Sequence, residues 1–138
     1  MQGNVTYIDA KNAFPAQFND DRLVRIQGVS KWAYNLAFFY EKGPISARAT
    51  YNFRSNYVNN YKRTASDVRL GAELADAVSR LDVSIAYAVT KNFTLAVTGT
   101  NLLGKPWRDY RYYNATQFYP ADVRVEGRYL GVGLRFKK

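Results

Sequence analysis

"ISARATYNFR", residues 45–54, alternates without a break: Ile45, Ala47, Ala49, Tyr51 and Phe53 against Ser46, Arg48, Thr50, Asn52 and Arg54. Successive side chains of an extended chain point to opposite faces, so the stretch predicts a β-strand with one apolar side. The fold depends on where that side looks. In a soluble sheet it is the core. In a membrane barrel it faces lipid, and the polar side lines a wet lumen.

The same period of two recurs along the chain and predicts six strands. The first covers 4–10, with its facing open. The second covers 31–41, with Tyr34, Leu36, Phe38 and Tyr40 on one face. The third is 45–54. The fourth, 81–89, sets Leu81, Val83, Ile85, Tyr87 and Val89 against Asp82, Ser84, Ala86 and Ala88. The fifth, 93–101, sets Phe93, Leu95 and Val97 against Thr94, Ala96, Thr98 and Thr100. The sixth, 128–136, sets Leu130, Val132, Leu134 and Phe136 against Tyr129, Gly131, Gly133 and Arg135. Most runs reach the ~9–11 residues of a tilted membrane-spanning strand. The opposite faces are rich in Ser, Thr, Asn, Ala, Gly and Arg, with Phe39 the exception. Solvent faces of soluble sheets usually carry more Lys and Glu, so these faces suit a lumen.

The connections alternate in length. Residues 42–44 (KGP) and 90–92 (TKN) are tight turns. Residues 11–30, 55–80 and 102–124 are long loops. An up-and-down antiparallel sheet then has all short turns at one end and all long loops at the other, the arrangement of outer-membrane barrels. Three loops of ~20 residues are hard to place in a compact soluble domain. Lys and Arg exceed Asp and Glu by two in each of the loop regions 11–31, 54–80 and 102–124, whereas the apolar strand faces carry no charge. Within the second loop, Leu70, Leu74, Ala77, Val78 and Leu81 have helical spacing and predict a short helix over 70–81.

The chain has 138 residues and shows no composition shift or linker, so 1–138 is read as one domain. Twenty Lys and Arg against 11 Asp and Glu give +9, which favours anionic partners. The absence of Cys and His excludes thiol nucleophiles, zinc fingers, Ser-His triads and His-bound metals. Asp9, Asp20 and Asp21 match no Ca²⁺-loop spacing. No acid/base pair or phosphate-cradling loop is evident, so neither enzyme activity, metal nor cofactor is expected. The Asn-X-Thr triplets at Asn4 and Asn114 are read as chance. No apolar run of ~20 residues and no signal peptide is visible. Alone, that predicts a cytoplasmic protein, unless the chain is a piece of something longer.

Several stretches resemble the C-terminal barrel region of TonB-dependent outer-membrane receptors. "GVSKWAYNLAFFYEKGPISARATYNFRSNYV" (28–58) is similar to a down strand, tight turn and up strand of that family. "RLDVSIAYAVTKNFTLAVTGTNLLGKP" (80–106) is similar to the next hairpin, including the "NL" after its up strand. "GRYLGVGLRF" (127–136) is similar to the last strand, and "TYIDAKNAF" (6–14) to the strand and loop before. The resemblance implies an all-β segment of about six strands from a larger transmembrane barrel, with the family's plug domain outside this chain. It implies a cell outer membrane of Gram-negative type and a part in uptake of a scarce solute such as a ferric chelate, cobalamin or carbohydrate. Its partners would be outer-membrane lipid and lipopolysaccharide, the rest of the barrel and plug, the barrel-insertion machinery, TonB only through the plug, and the solute. Nucleic acid is not among them. Gly131, Leu134 and Phe136 would form the signal read by the insertion machinery, although Lys137 and Lys138 follow the aromatic where the family normally stops. Because six strands cannot close a membrane barrel, the chain is read as a fragment, a truncated product or one piece of a multi-chain barrel.

Two further groups are candidate sites. In the loop 107–124, Trp107, Arg108, Tyr110, Arg111 and Tyr112 interleave aromatics with cations, a combination that stacks on rings and holds carboxylate or phosphate. Their other reading is an interfacial girdle with packing between loops. Arg48 and Asn52, on the lumen side, are candidates for contact with the plug or a solute, against ordinary lumen salt bridges and water. Two soluble alternatives compete with the barrel. One is a basic β-barrel binding single-stranded nucleic acid through Arg and aromatic residues. The other is a lipocalin-like carrier with the faces inverted.

Overall fold

A computed structural model describes residues 1–11, 25–64, 67–112 and 116–137. It is all-β, with ten strands: β1 (Gln2–Tyr7), β2 (Trp32–Lys42), β3 (Ile45–Arg54), β4 (Tyr57–Thr64), β5 (Asp67–Ala75), β6 (Val78–Thr90), β7 (Phe93–Thr100), β8 (Trp107–Tyr112), β9 (Phe118–Arg124) and β10 (Tyr129–Phe136). They form a six-stranded sheet in the order β1-β2-β3-β6-β7-β10 and a four-stranded sheet in the order β4-β5-β8-β9. All pairings are antiparallel. The six-stranded sheet is open, with β1 and β10 each paired on one side only.

The six predicted strands are the six staves of the larger sheet, with boundaries within three residues. The tight turns also stand. Gly43 takes a positive φ of 57° between β2 and β3, a conformation open to glycine at no steric cost. Asn92 donates its backbone N–H to Thr90 Oγ1 between β6 and β7.

The long loops are corrected in part. Residues 55–80 and 102–124 contain the four strands of the second sheet. That sheet continues the first: β4 follows β3, β5 precedes β6, β8 follows β7 and β9 precedes β10, so the upper order 4-5-8-9 repeats the lower order 3-6-7-10. The wall therefore extends above its membrane-length part as paired strands. Most of the first loop, residues 12–24, lies outside the described residues; at its ends Lys11 and Arg25 form an antiparallel bridge.

The helix over 70–81 is also corrected, because these residues are split between β5 and β6. Ala72 and Leu74 are two residues apart and share a face, where with Val58 and Tyr112 they form a buried cluster, joined by Tyr61 and Tyr110. Glu73, between them, pairs with Arg111 on the opposite face. Helical winding would separate Ala72 from Leu74 and forfeit both arrangements.

The two sheets bury apolar surface in opposite ways. The upper sheet owns the buried cluster, with Val58 and Ala72 fully covered. The six-stranded sheet has almost none, Ala37 being its one buried apolar side chain among the described residues. Its register puts Tyr40, Ala47, Ile85, Val97 and Val132 in one row, and Lys42, Ile45, Tyr87, Leu95 and Leu134 in the next. This face is uncovered: Leu130 is 80% exposed, Val132 74% and Phe136 76%. A contiguous uncovered apolar face across six strands is a feature that soluble monomers rarely show. β1 joins the pattern, with Val5 opposite Tyr34 and Tyr7 opposite Trp32, which settles its facing.

Aromatic residues gather at both ends of this face. Tyr7 and Trp32 (4.6 Å between ring centroids) and Tyr34 and Phe53 (4.6 Å, stacked) lie toward the upper sheet. Phe93 and Phe136 (4.8 Å, stacked) lie at the turn end. From Trp32 to Tyr40 the strand rises roughly 26 Å, or about 20 Å along a barrel axis at the usual tilt, close to the ~25 Å apolar band of outer-membrane barrels.

Candidate functional site

The opposite face of the six-stranded sheet is the candidate lumen wall. The register aligns Ser46 with Ala86, Arg48 with Ser84, Thr50 with Asp82 and Asn52 with Arg80. Next to them, Thr94, Ala96 and Thr98 face Arg135, Gly133 and Gly131. Both predicted lumen residues stand here. Asn52 accepts a hydrogen bond from the Asn35 amide on the neighbouring stave. Arg48 Nε donates to Thr50 Oγ1 at 3.3 Å, and its guanidinium lies over the Phe39 ring at 5.3 Å. Arg48, Thr50, Asp82, Ser84, Thr98 and Thr100 line a depression of about 310 Å³ on this face.

A polar joint sits where the two sheets meet. Asn101 follows β7 with φ 54° and is 4% exposed. Asn tolerates this left-handed conformation better than other non-glycine residues. Its backbone N–H donates to Asp82 Oδ1 (2.8 Å), and its side-chain amide donates to the carbonyls of Glu126 (2.9 Å) and Gly127 (3.1 Å). One residue thereby ties β7, β6 and the entry to β10. Arg80 and Glu126 form an ion pair beside it. Leu102 donates its backbone N–H to Leu81 O (2.9 Å), and its side chain folds down onto Gly99, where a Cβ would lie 2.8 Å from Leu102 Cδ2. On the β2–β3 side, Arg54 Nε donates to Ser30 Oγ (2.6 Å), and Ser30 Oγ donates to Ser55 O (2.9 Å). The sequence reading missed this joint. Its one signal was an Asn followed by Leu-Leu-Gly, a turn composition.

The five candidate residues of 107–124 all lie on β8, where alternation divides them. Tyr110 and Tyr112 turn toward the upper-sheet cluster, and Tyr112 stacks on Phe118 at 4.9 Å. Arg111 turns the other way and binds Glu73 Oε1 through Nη2 (2.5 Å) and Nε (3.1 Å). It also donates from Nη1 to the Tyr119 hydroxyl (3.1 Å). The Glu73 carboxylate, and then Tyr119, hold the Arg111 pKa above its ordinary value. Trp107 is overlain by the Arg124 guanidinium at 4.8 Å, and Arg108 is exposed. The five therefore do not form one open surface. Asp109, between Arg108 and Tyr110, is buried; its Oδ2 accepts from Asn59 Nδ2 (3.0 Å), whereas Oδ1 has no partner. Burial pushes its carboxyl above the usual carboxylate range.

The candidate insertion-signal residues lie on β10. Leu134 and Phe136 are on the apolar face, and Gly131 is on the opposite one. A Cβ at Gly131 would meet Thr98 Oγ1 at 2.8 Å, so glycine keeps the pairing with β7 close.

An open antiparallel sheet with an uncovered apolar face, aromatic ends, a small-residue polar face and paired extensions at one end only has the construction of part of a membrane barrel wall. Comparison with known proteins agrees. The model of the family described as "TonB dependent receptor-like, beta-barrel" matches residues 1–102, from β1 through Leu102. No curated protein and no solved structure matched the chain. Match and architecture together place the chain in the TonB-dependent receptor β-barrel family.

Proposed function

We propose that this chain supplies six staves and part of the external rim of an outer-membrane receptor that takes up a scarce solute by TonB-dependent active transport. A ferric chelate, cobalamin or a carbohydrate fits the role. The observation that supports this reading best is the uncovered apolar face, which needs a nonaqueous solvent on one side of the sheet only. The opposite face suits a water-filled or plug-filled lumen. Lipid and lipopolysaccharide are the partners of the apolar face. The remaining barrel strands pair with the free edges of β1 and β10, because unpaired edges are not tolerated in the bilayer. The insertion machinery reads β10, and TonB acts through the plug. No enzymatic step is assigned to the chain.

The test is alternation. Single cysteines along β10 and β3 of the intact receptor in its membrane are exposed to a charged, membrane-impermeant maleimide. Replacements of Gly133, Arg135, Ser46 and Thr50 are expected to label, and replacements of Leu130, Val132, Ala47 and Ala49 to resist. Equal labelling of both sets, or a chain that is a stable monomer in plain buffer with Phe38, Ile85 and Val132 protected from solvent, refutes the reading.

A further inference from the structure

Phe39 has the wrong chemistry for its face. It stands on the polar side of β2, 49% exposed, between the small residue Ala37 and the charged Glu41. Directly across the register is Arg48 of β3, whose guanidinium covers the ring at 5.3 Å. Arg48 Nε is held by Thr50 Oγ1. Among the described residues no carboxylate pairs with Arg48, and its terminal nitrogens make no hydrogen bond. Asp82 lines the same depression but forms no ion pair with Arg48; its Oδ1 is taken by the Asn101 N–H at the rim.

The row continues from Arg48 to Ser84, Thr98 and Gly131, so it stays low across three more staves. One side of the depression therefore carries a cation over a ring, and the rest of its lining is the hydroxyls of Thr50, Ser84, Thr98 and Thr100, with Gly99, Val83 and the Asp82 carboxylate.

A guanidinium held over a ring and hydrogen-bonded through Nε has given up part of its rotamer freedom before any ligand arrives. Its free edge is a planar fork of parallel N–H donors, which matches a carboxylate in two-point contact. We infer that Phe39 and Arg48 form a carboxylate seat on the lumen wall, with the depression beside it taking the group that bears the carboxylate. This rests on the barrel reading above, which makes the polar face a lumen. The carboxylate comes either from an acidic side chain of the receptor's own plug or from the solute in transit.

The test uses the intact receptor with Arg48→Lys and a zero-length carbodiimide, which joins an amine to a carboxylate it touches. Peptide mass spectrometry then reads the partner. An amide between the introduced lysine and an acidic residue of the plug identifies the internal source. An amide formed with added succinate, and none without it, identifies the solute source. Phe39→Leu in the same background is expected to lower the yield about 2–5-fold, the value of a cation–π contact at such a site. The proposal is overturned if the introduced lysine stays uncoupled in both arms, or if Ser46→Lys, on the same face, couples equally well. Should the cysteine pattern of the preceding section fail, the barrel reading falls. Should that pattern hold and the coupling fail, the seat alone falls.

Discussion

Asn101 offers the sharpest test of how the two sheets are held together. Replacing it with Ala removes two side-chain hydrogen bonds, to Glu126 O and Gly127 O, while the backbone bond to Asp82 can remain. A protein hydrogen bond contributes about 0.5–1.5 kcal/mol net. Gly127 is exposed and its carbonyl recovers water, so the pair is worth about 1–2 kcal/mol. Alanine at φ 54° adds about 1–2 kcal/mol, because Cβ crowds the backbone in the left-handed region. Against this, Asn101 Oδ1 is buried without a partner, and deleting it returns about 1 kcal/mol. The net expectation for Asn101→Ala is a loss of about 1–3 kcal/mol.

Two companion substitutions separate the contributions. Asn101→Gly loses the same bonds without the left-handed penalty, so it should be about 1 kcal/mol milder than Ala. Asn101→Asp tolerates the backbone but turns a carboxylate toward two carbonyls and the Asp82 side chain, and should be the most harmful. The stability order is therefore Asn, Gly, Ala, Asp, read from reversible denaturant unfolding of the intact receptor in lipid with tryptophan fluorescence. If Gly is as damaging as Ala, the backbone argument is wrong. If Ala equals wild type, the joint carries no stability.

Three other perturbations have definite directions. Val132→Arg places a charge on the uncovered face of β10 and should cost about 2–4 kcal/mol at the bilayer midplane, with Thr98→Arg on the opposite face far milder, as measured by folding into lipid vesicles. Glu73→Ala leaves Arg111 without its carboxylate beside the buried cluster; with Arg111 partly solvated, a loss of roughly 1–3 kcal/mol is expected, seen as faster external proteolysis within β4, β5, β8 and β9 with the membrane staves intact. Asp109 has a carboxyl raised by burial, so its folded state favours the protonated form: that contribution is full below the unfolded pKa and is lost as pH rises through the raised folded value. Asp109→Asn should therefore stabilise the upper sheet at neutral pH and flatten its pH dependence, whereas equal slopes in mutant and wild type would refute the assignment.

How much the sequence disclosed depended on which solvent each strand meets. The six membrane-length staves were legible because lipid on one side and a wet lumen on the other impose strict alternation over many residues; in 45–54 the predicted and observed limits coincide. The four upper strands were not, because their signals are short and broken. In β4 the register shifts between Val58 and Asn60, so the buried residues lose phase. In β8 both faces carry aromatics or charges, and only the cross-strand partners Glu73 and Leu74 distinguish Arg111 from Tyr110. β9 contains Pro120, which reads as a breaker until the register shift opposite Asp109 and Tyr110 makes room for it on an edge strand. The false helix arose because Leu70, Leu74, Ala77, Val78 and Leu81 straddle a strand break at Asp76 and Ala77. Among the candidate site residues, the facing of Arg48 and Asn52 was recoverable from period two alone. The pairing of Arg111 with Glu73, 38 residues away, was not.

The polar joint also marks where the two sheets meet. Below it, the six-stranded sheet has no apolar core and cannot hold its shape in water on its own contacts; Leu130, Val132 and Phe136 need lipid. Above it, the four-stranded sheet encloses Val58, Ala72, Leu74 and Tyr112 and meets water without further cover. Between them lie Asn101 and, on the polar face, Asp82, the Arg80–Glu126 pair and the Ser30–Arg54 contact, groups that facing the lumen keeps out of hydrocarbon. The Tyr7–Trp32 and Tyr34–Phe53 pairs stand near this level on the apolar face, where aromatic rings favour the interface. The chain changes solvent within a few residues of each stave, and its sequence changes rule at the same place, from strict alternation to turn residues and then to bulged, cross-paired strands. Moving the wall inward would carry Tyr34 and Phe53 past the interface, and moving it outward would strip lipid from them. The height of the barrel in the bilayer is therefore set by the apolar face and its aromatic pairs.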